Sequence, residues 1–168
     1  MRNSCKSFHW LVGILQKHSV PFVVGGGLAV RSYGAQRPLQ DIDVDIRAAD
    51  FPRLVDDIKP YITFGPARLV DENWDLPIIV LNHHGQDIDI CGGDDTKIFD
   101  AQNNIWVSVP MDLAAAAPRE IFGLTIPVMT PEQLIAYKTL LKRPVDIEDI
   151  AALEGFLDQK AQRGRYLS

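Results

Sequence analysis

The hexapeptide Asp41–Ile46, DIDVDI, alternates without a break between a carboxylate and a branched apolar residue. A period of two belongs to a β-strand, so one face carries Asp41, Asp43 and Asp45 and the other Ile42, Val44 and Ile46. Such a strand needs a core under its apolar face and something to offset repulsion on its acidic face. The carboxylates stand roughly 6.5–7 Å apart along that face. A hard divalent cation such as Mg²⁺, which prefers oxygen ligands, relieves the repulsion. A second DID occurs at Asp87, Ile88 and Asp89. If the two strands are neighbours, Asp89 or Asp87 faces Asp41 and Asp43, and three carboxylates on adjacent strands can hold two metal ions for in-line phosphoryl or nucleotidyl displacement. The plain alternative is an exposed polar face. An EF-hand is excluded, because Ile46 stands where the loop needs Gly and Pro52 where it needs Glu.

Upstream of these carboxylates, "PFVVGGG" reads as a short buried strand ending in Gly25, Gly26 and Gly27, with a helix opening over 27–34. Glycines between strand and helix let backbone N–H groups approach a phosphate, and a helix N-terminus favours anions. Neither a P-loop nor a dinucleotide fingerprint is present: no Lys-Ser/Thr follows, and G-x-G-x-x-G is absent. A tight strand-to-helix turn is the simpler account of the glycines alone. With the carboxylates that follow, they supply both halves of a nucleoside triphosphate site. Arg37, between the two, either neutralises a phosphate or pairs with Asp41.

The remaining pattern is α+β. Apolar Phe8, Leu11, Val12 and Leu15 predict a helix over 5–18. Asp50 reads as the N-cap of a helix over 51–59. "LPIIVLN" and "QDIDIC" flank a turn containing His83 and His84, which predicts a β-hairpin. Residues 105–109 and "FGLTIPVMT" read as extended. Thr130 caps a helix running from Pro131 to about Leu141, and a last helix covers roughly 145–160, followed by a frayed tail. The expected architecture is one domain over 1–168: a mixed sheet core within 20–110, helices packed on one side, and helices over 131–160. On the first C-terminal helix, Lys138 shares a face with Leu134 and Ile135. Two readings stand for it: a pair with Asp146 tying two helices together, or a contact with the triphosphate. Arg143 is a further candidate, or decorates a helix end.

Net charge is −5 over 168 residues, which argues against broad nucleic-acid binding. No apolar run reaches the roughly 20 residues of a membrane span, and the N-terminal stretch lacks a signal-peptide cleavage pattern. Cys5 and Cys91, the only cysteines, form neither a disulfide framework nor a zinc set. A cytoplasmic protein acting on a small molecule is expected.

The arrangement VGGG, then Arg37, then DID, with a third Asp on a later strand, resembles the DNA polymerase beta-like nucleotidyltransferase superfamily. The resemblance extends over roughly 20–155. It is strongest to small stand-alone members: the lincosamide- and aminoglycoside-type antibiotic nucleotidyltransferases and the abortive-infection toxins. It implies a two-ion Mg²⁺ site at Asp41, Asp43 and Asp89, and a nucleoside triphosphate donor bound by Gly25, Gly26, Gly27, Arg37 and Lys138. The acceptor hydroxyl belongs to an unidentified small molecule, RNA or protein. Gly27 departs from relatives that carry Ser, Thr or Trp there. The rival expectation is a catalytically silent nucleotide-binding module, or a toxin–antitoxin module with a helical protein partner.

Overall fold

The computed structural model describes residues 3–166. In chain order the elements are α1 (Ser4–Lys17), β1 (Val23–Val24), α2 (Gly26–Ser32), β2 (Asp41–Ile46), α3 (Phe51–Ile58), β3 (Ile62–Val70), β4 (Trp74–His83) and β5 (Gln86–Gly92). They continue with β6 (Lys97–Asp100), β7 (Ile105–Ser108), β8 (Ala117–Ile121), β9 (Leu124–Val128), α4 (Pro131–Leu141) and α5 (Pro144–Tyr166). All nine strands join one mixed sheet in the order β7-β6-β4-β5-β2-β1-β9-β8, with β3 added on β4. The α+β architecture expected from the sequence is therefore present.

The alternation in DIDVDI decides how the sheet is used. Ile42, Val44 and Ile46 are fully buried, together with Ile79, Leu81, Ile88 and Ile90 from the flanking strands. Phe8, Leu11 and Leu15 of α1 and Leu54 and Ile58 of α3 pack into the same core. Burying side chains of this size contributes about 1.5–3 kcal/mol each. That driving force pins the register, because a slip of one residue would turn the carboxylates inward.

Local chemistry sets several boundaries. Thr130 forms a capping box with Gln133 at the start of α4, as its position before Pro131 predicts. Asp50 precedes α3 but makes no capping hydrogen bond. Its carboxylate accepts instead from Arg47 and Arg53, because two guanidiniums compete for it against a backbone N–H. The hairpin turns at His84 and Gly85, both with positive φ. His83 ends β4 instead of joining the turn, and is buried with its ring stacked on Trp10 at 4.1 Å between centroids. The last helix continues past residue 160 to Tyr166, so most of the tail expected to fray is helical; residues 167–168 lie outside the described residues. Cys5 and Cys91 are both free thiols. Among the described residues no helix is long and apolar enough to cross a membrane.

Candidate active site

β2 and β5 run parallel, and their register pairs Asp41 with Asp87 and Asp43 with Asp89. Paired residues share a face, so both DID segments present their carboxylates to the same side of the sheet. One carboxylate oxygen from each of Asp41, Asp43 and Asp89 lies within 4.8 Å of the others. Asp87 stands apart from this cluster, exposed and accepting a hydrogen bond from Asn82 Nδ2 at 2.7 Å. The three clustered carboxylates open into a cavity of about 520 Å³ that Gly25, Gly26, Gly27, Arg37 and Lys138 also line.

The glycine turn is built against β2. Gly25 N–H donates to the Asp43 carbonyl at 3.1 Å, and Gly25 caps α2, which opens at Gly26. Gly26 has φ +53°, and a Cβ there would overlap the Asp43 carboxylate. A Cβ on Gly27 would lie 2.6 Å from Arg37 Nη2. The glycines therefore bring backbone up to the acidic cluster and to Arg37, where no larger residue fits without displacement.

Three carboxylates held this close repel one another. Burial, and then the charges of Asp41, Asp89 and Asp45, push Asp43 well above the usual carboxylate range, with only partial relief from Lys138. Asp89 is raised to about 6 by burial and by Asp41 and Asp87. Asp45, next along the same face, is raised to about 7 by burial. An all-oxygen donor set with this much uncompensated negative charge fits a hard divalent cation.

The nearest cations are held by α5. Arg37 forks onto Asp149, Nε to Oδ1 at 2.6 Å and Nη2 to Oδ2 at 2.9 Å. Lys138 is 2% exposed, with its Nζ 3.1 Å from Asp146 and 2.9 Å from Asp149. Arg143 closes on the other side of Asp146 at 2.7 Å. Three cations thus share two buried carboxylates beside the acidic cluster. Arg37 pairs with Asp149, not with Asp41 as one sequence reading had it, because α5 brings a buried carboxylate into line with both guanidinium edges. The Lys138–Asp146 pair anticipated from helix spacing is present. Asp149 escaped the sequence reading. Its signal was the i, i+3 spacing from Asp146, which puts both on one face of α5.

Comparison with known proteins gives a family and a shared fold. The sequence profile of aminoglycoside-2''-adenylyltransferases matches residues 8–153. No curated protein sequence gives a match. Among solved structures, a candidate nucleotidyltransferase from Thermotoga maritima, TM1012, is 20% identical, with a TM-score of 0.64 over 94% of this chain and 96% of its own. The lincosamide antibiotic adenylyltransferase LnuA, solved with lincomycin bound, is 17% identical, with a TM-score of 0.61 over 90% and 96%. ANT(2'')-Ia, in complex with adenylyl-2''-tobramycin, is 17% identical, with a TM-score of 0.59 over 96% and 98%. At these identities the solved structures establish a shared fold.

Proposed function

The chain belongs to the aminoglycoside-2''-adenylyltransferase family, and from that premise we propose that it transfers a nucleoside monophosphate from a nucleoside triphosphate to a hydroxyl of a small-molecule acceptor, with Mg²⁺ held by Asp41, Asp43 and Asp89. The observation that carries this reading is the approach of those three carboxylates, from two parallel strands, to within 4.8 Å beside a glycine turn. A bound divalent cation would supply charge neutralisation for the phosphates and orient them for displacement.

The chain's own residues divide the work by position. Gly25, Gly26 and Gly27 bring backbone to the phosphates without side chains in the way. Arg37 and Lys138, held in place by Asp149 and Asp146, set positive charge on the phosphate side. Asp89 lies on the β5 side of the cluster, away from the glycine turn, and accepts the proton of the acceptor hydroxyl. The acceptor oxygen bonds to the α-phosphorus, the bond from that phosphorus to the β-phosphate bridge breaks, and pyrophosphate leaves. A nucleotide-binding module without turnover would have no use for Asp89 in register with Asp43. The small-molecule acceptors of LnuA and ANT(2'')-Ia favour a small acceptor here too, and give no support to a helical protein partner.

The test is incubation with labelled nucleoside triphosphates, Mg²⁺ and a panel of hydroxylated small molecules, following pyrophosphate release and adduct mass. Asp43→Asn should reduce turnover by about 10³-fold or more while leaving the fold intact. Unchanged turnover in that variant would remove Asp43 from the site.

A further inference from the structure

Across the sheet, the site face changes character strand by strand. One register row reads Asp45 on β2, Cys91 on β5 and Ile78 on β4. Further along β4, Leu76 pairs with Leu69 of β3, and Trp74 pairs with Ile98 of β6. Leu69, Trp74, Leu76, Ile78 and Ile98 all line the cavity, and Tyr137 joins them from α4. The glycine turn follows β1, on the far side of β2. The order across the site is therefore glycine turn, Asp41 and Asp43, Asp89, then an apolar wall. A donor whose phosphates lie between the turn and the clustered carboxylates leaves the wall beyond Asp89 for the acceptor.

That wall offers little to a polycation. Asp112, at its rim, is exposed and accepts hydrogen bonds from the backbone N–H groups of Ala114 and Ala115. Asp75 on β4 alternates to the opposite face, where it meets Arg68 and Lys97. Two carboxylates line the cavity outside the Asp41, Asp43 and Asp89 cluster: the solvated Asp112 at the rim, and Asp45 further in, whose carboxylate makes no ion pair or hydrogen bond among the described residues. An ammonium group set against Leu69, Leu76 or Ile78 would lose water and gain no partner. One ammonium can be matched at Asp45 inside the cavity; a second finds only the exposed Asp112, where a solvated ion pair contributes little.

We propose that the acceptor is a small molecule with a largely apolar body, a hydroxyl that reaches Asp89 and a single ammonium that pairs with Asp45. The apolar body lies on the wall formed by Leu69, Trp74, Leu76 and Ile78. This rests on the transferase reading above and departs from the polycationic aminosugars in the family's name. Asp45 and Leu69 then determine which acceptor is used and do not take part in the chemistry. Hydroxyl and nitrogen should stand about 8 Å apart, the diagonal from Asp89 on β5 to Asp45 on β2, one strand across and two residues along.

The experiment is calorimetric titration of the full chain, saturated with Mg²⁺ and a non-hydrolysable ATP analogue. The probes are a panel of aryl-alkyl monoamines bearing one hydroxyl at that separation, with tyramine as the smallest, and tobramycin as the polycation. A melting-temperature rise with Mg²⁺ and the analogue alone reports separately on the donor site; its absence defeats the transferase reading itself. With that rise present, the expected result is panel binding with a negative heat-capacity change, weakened at least tenfold by Leu69→Asn and by Asp45→Asn, and tobramycin weaker than the best monoamine. Tobramycin binding more tightly than every monoamine overturns the proposal. So do failure of the whole panel to bind, insensitivity to both variants, or displacement of the monoamines by the ATP analogue, which would make the wall a nucleobase pocket.

Discussion

A side chain on Gly26 would occupy the space of the Asp43 carboxylate. The glycine run and the DID motif are thus two halves of one steric arrangement, although they are separated in sequence by a helix and a loop. Gly26→Ala carries two penalties: a left-handed backbone that costs about 1–2 kcal/mol for a residue with a Cβ, and displacement of Asp43. The expected outcome is a lower melting temperature and a loss of Mg²⁺ affinity larger than the stability loss explains, measured by calorimetric melts and metal titration. Gly27→Ala should be milder in backbone strain, since its φ is not left-handed, but it pushes the Arg37 guanidinium against its contact with Asp149.

The ion-pair cluster on α5 makes a separate prediction. Lys138 and Asp149 are both essentially without solvent contact; removing Lys138 leaves Asp149 with Arg37 and Asp146 with Arg143, whereas removing Asp149 leaves Arg37 without its carboxylate. Lys138→Met should destabilise the chain by about 1.5–3 kcal/mol, the scale of a lost charged hydrogen bond, read from the urea midpoint. Lys138→Met combined with Asp149→Asn should cost less than the sum of the two singles, because both changes remove the same Lys138–Asp149 contact. Additive losses would mean that the pair is not coupled. Arg37→Lys should weaken the link as well, since an ammonium cannot reproduce the two-pronged contact with Asp149.

How much of this was legible in the sequence follows from the range of the forces involved. Alternation in DIDVDI and QDIDIC showed two strands with acidic faces, because period is a local property of the chain. Thr130 before Pro131 marked the start of α4 for the same reason. Which carboxylates meet is a matter of register, and the parallel pairing of Asp43 with Asp89 depends on packing between distant segments. The partner of Arg37 was illegible because Asp149 lies 112 residues away. The apolar wall was hidden differently: Leu69, Trp74, Leu76 and Ile78 look like ordinary strand residues until the sheet places them beside a cavity.

Away from the site, His83 makes stability depend on pH. Burial, with smaller effects from His84 and Lys6, holds its imidazole below the ordinary histidine value. The folded chain therefore favours the neutral ring, whose Nδ1 lies 2.8 Å from Ser7 Oγ. The unfolded chain takes up a proton near pH 6.5, before the folded one does. This contribution to stability is complete above about pH 6.5 and is lost as pH falls from there toward the lower folded value. In melts between pH 8 and pH 5, the stability advantage of the wild type over His83→Gln should shrink on acidification. A constant difference would contradict a neutral buried imidazole.

Asp87 and Asp89 form the last contrast. They sit two residues apart on one strand and face, yet only Asp89 joins Asp41 and Asp43, while Asp87 is exposed and engaged by Asn82. If proximity to the cluster governs function, Asp89→Asn should reduce nucleotidyl transfer by about 10²-fold or more, the scale of losing one positioned acid–base group. Asp87→Asn should keep transfer within a few-fold, because its nearest polar partner is a surface amide and not the metal-binding cluster. Mg²⁺ titration followed by melting temperature should separate the pair in the same order. Equal losses in the two variants would show that the acidic face acts through its bulk charge and not through three particular oxygens.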